Sequence, residues 1–399
     1  MLTLSQKAIE LPSSPIRRLV SFADAATERG IQVFHLNIGQ PDIASPQCAI
    51  DAIRNIKLDH FPYCNSAGIL SYRKGLAKYY NDLGIDVSYN DLMITTGGSE
   101  AVNFAIAITC NPGDEIIVME PYYTNYNTFA KLNDVKLVPV HTSIEDGFAM
   151  PPIEEFEKLI TPKTKGILMC NPGNPAGVLY SKESVEQLGK IIKKHDIYLY
   201  ADEVYREFCY TDEPHFSALK LKGVEDNVIL IDSVSKRYSM CGIRIGALVS
   251  RNKEFIKLLL KYCQARLCSP RLSQIAAEAA LETPQSYFEA VRTEYIHRRD
   301  ILLGRLRKMK GVVCPTPKGA FYAVAKLPVD DAEVFAKWLL TDFVLNQKTV
   351  MVTPAAGFYT TPGEGKNQVR LAYVLKEEDL NTALDCLEEA LKVYPGRTE

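Results

Sequence analysis

No apolar run in this 399-residue chain approaches the roughly 20 residues that a bilayer-spanning helix requires. The opening stretch, MLTLSQKAIELPSSP, lacks an apolar core flanked by basic residues, so no secretory signal is expected. The six histidines form no HxxxH or HExxH pattern, and the ten cysteines form no CxxC pair. Metal catalysis therefore has no support. The scattered thiols read as buried and free in a reducing cytoplasm. The formal net charge of −2 gives no reason to expect nucleic acid or a membrane surface as a partner. There is no internal repeat and no low-complexity segment. A chain of this length suggests two or three domains, and 47% hydrophobic with 24% charged residues is ordinary for a globular protein.

The middle of the chain alternates between strand-like and helical stretches. Apolar runs of strand length stand at Leu92–Thr95, Glu115–Met119, Lys136–Val140, Gly166–Cys170, Ile197–Ala201, Val228–Ile231 and Ile245–Val249. Near-continuous apolar strands separated by helices predict an α/β fold: a mostly parallel sheet of about seven strands, covered on both faces. The intervening helices include Ser99–Thr109 and Lys182–Lys194, the latter opening at Ser181 and ending in basic residues that suit the helix dipole. After about residue 284 the pattern changes. A long helix at Pro284–Lys308, a strand at Ala320–Ala325, a helix at Ala332–Leu340, a strand at Val369–Val374 and a helix at Glu377–Val393 predict a smaller α+β domain. Pro354–Lys366 reads as a loop within it. The first 45 residues show few periodic apolar positions and are expected to wrap onto that domain. The expected division is 46–293 for the large domain, and 1–45 with 294–399 for the small one.

Ligands in such sheets sit beyond the strand C-termini. Lys236 lies there, in Ser-Val-Ser-Lys-Arg after the run Val228–Asp232. Thirty-four residues upstream, Ile197–Ala201 ends in Asp202-Glu203-Val204-Tyr205. This lysine and aspartate are what pyridoxal phosphate requires: an amine to condense with its aldehyde, and a carboxylate to keep its ring nitrogen protonated. An aspartate after a strand also reads as a helix cap. Thr95-Thr96-Gly97-Gly98-Ser99-Glu100 suits phosphate at a helix N-terminus, or an ordinary tight turn. In Asn171-Pro172-Gly173-Asn174-Pro175-Ala176-Gly177, two Asn-Pro steps hold rigid amides, or serve turn chemistry alone. Arg244 and Arg370 each sit between apolar residues, where each needs an anion, either a ligand or a buried structural partner.

Together these pieces resemble the class I/II aminotransferases, the fold type I pyridoxal-phosphate enzymes, and within them the bacterial aspartate aminotransferase-like group. The resemblance runs from Asn37-Ile38-Gly39-Gln40-Pro41-Asp42 through Tyr63, Ser66-Ala67-Gly68, Gly97-Gly98-Ser99-Glu100, Pro121-Tyr122-Tyr123, NPGNPAG, ADEVY, SVSK and Arg244 to Arg370. It implies that Lys236 anchors the coenzyme and moves a proton, and that Asp202 pairs with the ring nitrogen. Tyr205 and Asn174 would bond the phenolic oxygen, and Tyr123 rather than Tyr122 would stack on the ring. Gly98, Ser99, Ser233, Ser235 and Arg244 would hold the phosphate, with Tyr63 reaching the neighbouring subunit's coenzyme in a homodimer. Arg370, Asn174 and Gly39 would grip the substrate α-carboxylate. The implied reaction moves an amino group between an L-amino acid, aspartate first, and a 2-oxo acid, 2-oxoglutarate first. An aromatic, alanine or broad-specificity transaminase, or a C–S β-lyase, would use the same residues. Two departures from the pattern stand out: Ala176 replaces a common Thr or Ser, and Ser99 stands where some aspartate-specific relatives have lysine. The resemblance also points to Arg266, in Gln-Ala-Arg-Leu, or Arg271, near where another branch of the family supplies a distal-carboxylate arginine from the neighbouring subunit. A salt-bridge role remains open for each.

Overall fold

The computed structural model describes residues 2–12 and 14–398. The strands in chain order are β1 (Gln32–His35), β2 (Leu92–Thr95), β3 (Glu115–Glu120), β4 (Lys136–His141), β5 (Thr164–Cys170), β6 (Tyr198–Asp202), β7 (Val228–Ser233), β8 (Gly246–Val249), β9 (Tyr322–Lys326), β10 (Lys348–Met351), β11 (Thr353–Pro354) and β12 (Gln368–Ala372). Seven of them form the central sheet in the order β2-β8-β7-β6-β5-β3-β4. All run parallel except β8, which is antiparallel to both β2 and β7.

The expected seven-strand α/β sheet is therefore present, with every strand within about two residues of its expected place. The pleat explains why these runs are so uniformly apolar. Leu199 and Leu230 enter one core, with Ile167, while their neighbours Tyr200, Ile229 and Ile231 enter the opposite one, with Leu168. Both faces are covered, so alternation between apolar and polar residues disappears. Helices supply the cover. Lys182–His195 is capped by the Ser181 hydroxyl, which accepts from the Ser184 amide, and it closes on Lys193, Lys194 and His195.

The chain termini build a second sheet system. β9 lies between β12 and no further strand, β12 pairs antiparallel with both β9 and β11, and β1 pairs in parallel with β10. Helices Gln285–Leu306, Ala332–Thr341 and Glu377–Val393 match their expected places. The first 45 residues differ from the expectation of little periodic structure. They hold helix Val20–Glu28 and strand β1, and Leu19, Ala23 and Ala26 are buried at helical spacing. Two of those three are alanines, which give a weak apolar signal. All ten cysteines are free thiols. No helix among the described residues is long and apolar enough to cross a membrane.

One contact ties the sheet to the turn after β2. A methyl group at Gly246 would stand 2.6 Å from the Gly97 carbonyl carbon, 2.7 Å from the Asp232 carbonyl oxygen and 2.8 Å from the Gly98 nitrogen. All three are backbone atoms and cannot swing aside. Gly246→Ala is expected to destabilise the protein by at least ~1–3 kcal/mol, read from urea denaturation. Gly304→Ala, with open space at that point of its helix, should be neutral or gain up to ~1 kcal/mol. Equal midpoints for the two variants would refute the close-approach argument.

Candidate active site

The C-terminal ends of β6 and β7, the N-terminus of helix Gly97–Thr109 and residues of the terminal segments enclose a cavity of about 690 Å³. Asp202, the last residue of β6, is buried. Its Oδ2 accepts from the Tyr126 hydroxyl at 2.6 Å and its Oδ1 from the Val204 amide at 3.3 Å. No cation faces it among those partners. Burial pushes its carboxyl up to about 6, against the lowering effect of these two bonds.

Lys236 lies in the single helical turn Val234–Arg237 that follows β7. Its Nζ donates to the Gly39 carbonyl at 2.7 Å and lies 3.7 Å from Cys241 Sγ. The amine thus has no carboxylate partner and faces the cavity. Ser233 ends β7, and its hydroxyl bonds Ser235 Oγ at 2.8 Å. Arg244 Nη1 reaches Ser235 Oγ at 3.4 Å and the Cys241 carbonyl at 2.9 Å. Its backbone is left-handed, with φ +56°, an uncommon conformation for a side chain of this size. This twist turns the guanidinium towards Gly97, where a methyl group would sit 2.4 Å from Nη2. The first amides of helix Gly97–Thr109, two serine hydroxyls and a guanidinium so converge on one rim. That donor set suits a phosphate. Together with an unpaired amine and a desolvated carboxylate lacking a cation, it fits pyridoxal phosphate.

Opposite this rim lies Arg370, 1% exposed, in β12. Its Nη1 donates to Asn174 Oδ1 at 3.1 Å and its Nη2 to the Asn37 carbonyl. Its Nε has no partner. Burial pulls its pKa down, opposed by the phenols of Tyr322, Tyr205 and Tyr123. Asn174 is held in the loop after β5, where the Gly173 amide bonds the Val178 carbonyl at 2.8 Å.

The structure brings Gly39, Gly98, Ser99, Tyr123, Asn174, Asp202, Tyr205, Ser233, Ser235, Lys236, Arg244 and Arg370 to one cavity. Of the adjacent tyrosines, Tyr123 lines it, while Tyr122 is buried beneath with its hydroxyl on Asn127 at 2.7 Å. Two expected residues lie elsewhere. Tyr63 is 76% exposed on the surface of this chain. Arg266 does not line the cavity. Its Nε donates to Glu100 Oε2 at 2.9 Å and its Nη2 to the Ile94 carbonyl at 2.6 Å. It holds helix Gly97–Thr109 to β2 through this ion pair, the salt-bridge role named for it above. Arg271 begins helix Arg271–Ala279 and does not line the cavity either.

Sequence reasoning overlooked Tyr126, the hydroxyl partner of Asp202, and Tyr322. The Tyr322 hydroxyl lies 3.0 Å from that of Tyr205, and its ring lies 4.6 Å beneath the Arg370 guanidinium carbon. A methyl group at Gly39 would collide with the Tyr322 hydroxyl at 1.8 Å. The available signal was modest: a tyrosine starting a strand after Gly319-Ala320-Phe321. Arg17, on the N-terminal segment, also lines the cavity and was not singled out.

Comparison with known proteins places this geometry in context. The family model for aminotransferase class I and II matches residues 31–387. An aspartate aminotransferase of Thermotoga maritima is 33% identical over 390 residues, covering 97% of this chain and 99% of its own. The solved aspartate aminotransferase of Thermus thermophilus with maleate superposes with a TM-score of 0.89 at 29% identity, over 98% of this chain and 100% of its own. An alanine aminotransferase of Pyrococcus furiosus matches with a TM-score of 0.88 at 29% identity, over 98% and 100%. A match across most of the chain, in sequence and in fold, shows that this protein is a member of the class I and II aminotransferase family.

Proposed function

We propose that the protein transfers the amino group of L-aspartate to 2-oxoglutarate, using Lys236, Asp202 and Tyr205 as catalytic residues. The observation that carries this reading is the state of Arg370. A fully buried guanidinium bonds only neutral oxygens among the described residues, and one of its donors is orphaned. An unpaired buried charge is costly, and a carboxylate is the ligand that relieves it. Every amino-acid donor and 2-oxo-acid acceptor presents one. The names of the relatives favour aspartate, and those of alanine and aromatic aminotransferases occur among them.

Pyridoxal phosphate, when bound, supplies a ring that takes up negative charge from the substrate Cα. The chain's own residues do the rest. Asp202 provides the carboxylate that holds a protonated ring nitrogen. Asn174 and Tyr205 bond the phenolic oxygen, and Tyr123 covers the ring face at little side-chain entropy cost. Gly98, Ser99, Ser233, Ser235 and Arg244 hold the phosphate. Lys236 Nζ would anchor the coenzyme and, as a free amine, would carry the proton at the substrate Cα. Arg370, with Asn174 and the Gly39 backbone, fixes the α-carboxylate and so the orientation of the Cα–H bond.

In the same reading the large domain spans 46–293 and the small domain 1–45 with 294–399. Arg370 belongs to one and Lys236 to the other, so carboxylate binding draws them together and excludes water. Two copies form a homodimer with shared sites. Phe61 and Tyr63 are 71% and 76% exposed, an apolar pair that a partner surface would cover, with Tyr63 reaching the partner's phosphate.

Three measurements test this assignment. Arg370→Lys keeps the charge but loses the planar fork. It should lower kcat/KM roughly ten- to a hundredfold for aspartate and alanine alike, the worth of a charge-assisted bond. An effect confined to aspartate would move Arg370 off the α-carboxylate. Inactive Tyr63→Ala and Lys236→Ala subunits, once mixed and exchanged, should regain activity, because each hybrid dimer holds one complete site. No recovery after verified exchange refutes the shared site.

The third measurement concerns pH. In the cofactor-free protein the Asp202 carboxyl lies at about 6, above its ordinary range, so its ionised form is disfavoured by folding. Its contribution to stability is full below about pH 4 and is lost as pH rises through 6, by ~3 kcal/mol. Asp202→Asn cannot ionise. The melting temperature of the cofactor-free variant should therefore gain on the wild type from pH 4 to pH 7.5 by scanning calorimetry. A difference that stays constant across that range would show that Asp202 does not titrate this way.

A further inference from the structure

Among the described residues, four cationic side chains line the cavity, Arg17, Lys236, Arg244 and Arg370, against one carboxylate, Asp202. The proposed function, on which this inference rests, uses three of the four. Lys236 anchors the coenzyme, Arg244 holds its phosphate and Arg370 takes the α-carboxylate. Arg17 is left over. Ser99 carries no charge, and Arg266 is committed to Glu100.

The N-terminal segment that bears Arg17 is tied down on both sides of the cavity mouth. Before it, Lys7 pairs with Asp134 at 2.5 Å, and Glu10 pairs with Lys131. After it, Arg18 pairs with Glu333, and helix Val20–Glu28 packs on helix Ala332–Thr341. Between these ties, Ser14, Ile16 and Arg17 line the cavity. The two adjacent arginines differ in their fate. Arg18 is neutralised by Glu333, while Arg17 is exposed and has no carboxylate within ion-pair reach among the described residues. The segment also shares a residue with the α-carboxylate site. Asn37 Nδ2 donates to the Ile16 carbonyl at 3.3 Å, and the Asn37 carbonyl accepts from Arg370. Arg17 is thereby held over the same cavity as Arg370, and its charge reaches the Tyr123 phenol that lines the wall between them.

We infer that Arg17 is a specificity-determining residue: it pairs with the side-chain carboxylate of an acidic substrate whose α-carboxylate lies on Arg370. Two guanidiniums on one cavity, one buried and one at the mouth, recognise a four- or five-carbon dicarboxylate by its two ends. The planar fork of Arg17 matches the second carboxylate, and the segment's ties to both sides of the mouth limit how far the guanidinium can stray. Monocarboxylate substrates engage Arg370 alone.

The test uses the holoenzyme and two unreactive probes of the same carbon length, maleate with two carboxylates and crotonate with one. In Arg17→Gln, calorimetry should find maleate weakened roughly ten- to a hundredfold and crotonate changed less than twofold, the range of one charge-assisted contact. Arg17→Lys should recover part of the maleate affinity, since it restores charge without the fork. kcat/KM for aspartate should fall with maleate affinity, while that for alanine is spared. Equal weakening of both probes, or no change in either, overturns the inference. A wild-type enzyme that prefers phenylalanine to aspartate would overturn the aspartate reading instead, and the maleate–crotonate comparison is read separately from it.

Discussion

The position of Lys236 depends on an ion pair beneath it. Arg237, the next residue, donates from Nη2 to both carboxylate oxygens of Asp232 at 2.6 and 2.8 Å. Asp232 also accepts from the Ser233 amide at 2.8 Å and the Tyr80 hydroxyl at 2.6 Å. The arginine holds its carboxyl well below the usual carboxylate range despite burial. Arg237 also lies 4.4 Å over the Tyr79 ring. Removing one partner of such a pair costs about 3–5 kcal/mol, because the other charge is left buried alone. The chain therefore leaves β7 in one direction only, with Arg237 turned down into the core and Lys236 turned up into the cavity.

Below the cavity, charges are matched. Arg298 bonds Asp42 and Glu294, both at 2.7 Å, whereas Arg206 lies 3.3 Å from Glu203 without a hydrogen bond from any of its guanidinium nitrogens. His215, beside them, is driven down to about 3 by burial and stays neutral. Around the cavity the charges are unmatched. Among the described residues, Asp202 lacks a cation, and Lys236, Arg370 and Arg17 lack an anion. Matched charges report how the fold is held, and unmatched ones report what it binds. The Arg266–Glu100 pair belongs to the first kind, and for that reason it leaves the substrate pocket out of account.

Much of this was legible in the sequence. The central strands were, because burial on both faces turns them into short apolar runs bounded by helices. Lys236, Asp202, Asn174 and Arg244 were, because each follows or precedes such a run and so falls at the strand ends where ligands gather. What remained hidden depends on distant partners. Nothing near Arg266 announces Glu100, 166 residues away in sequence. Nothing near Tyr322 announces Tyr205, 117 residues away, or the glycine at position 39 that makes room for its hydroxyl. Helix Val20–Glu28 was missed because alanines form much of its buried face, and Arg17 because its significance lies in a cavity assembled from both ends of the chain.

The one antiparallel strand of the central sheet has a consequence for how this chain can be altered. β8 returns antiparallel beside β7 after the connection 234–245, and Lys236 and Arg244 stand eight residues apart within that connection. The residues proposed to anchor the coenzyme and to hold its phosphate are thus carried by one connection. Under the proposed function, sequence inserted between those two residues would separate the proposed coenzyme anchor from the proposed phosphate arginine.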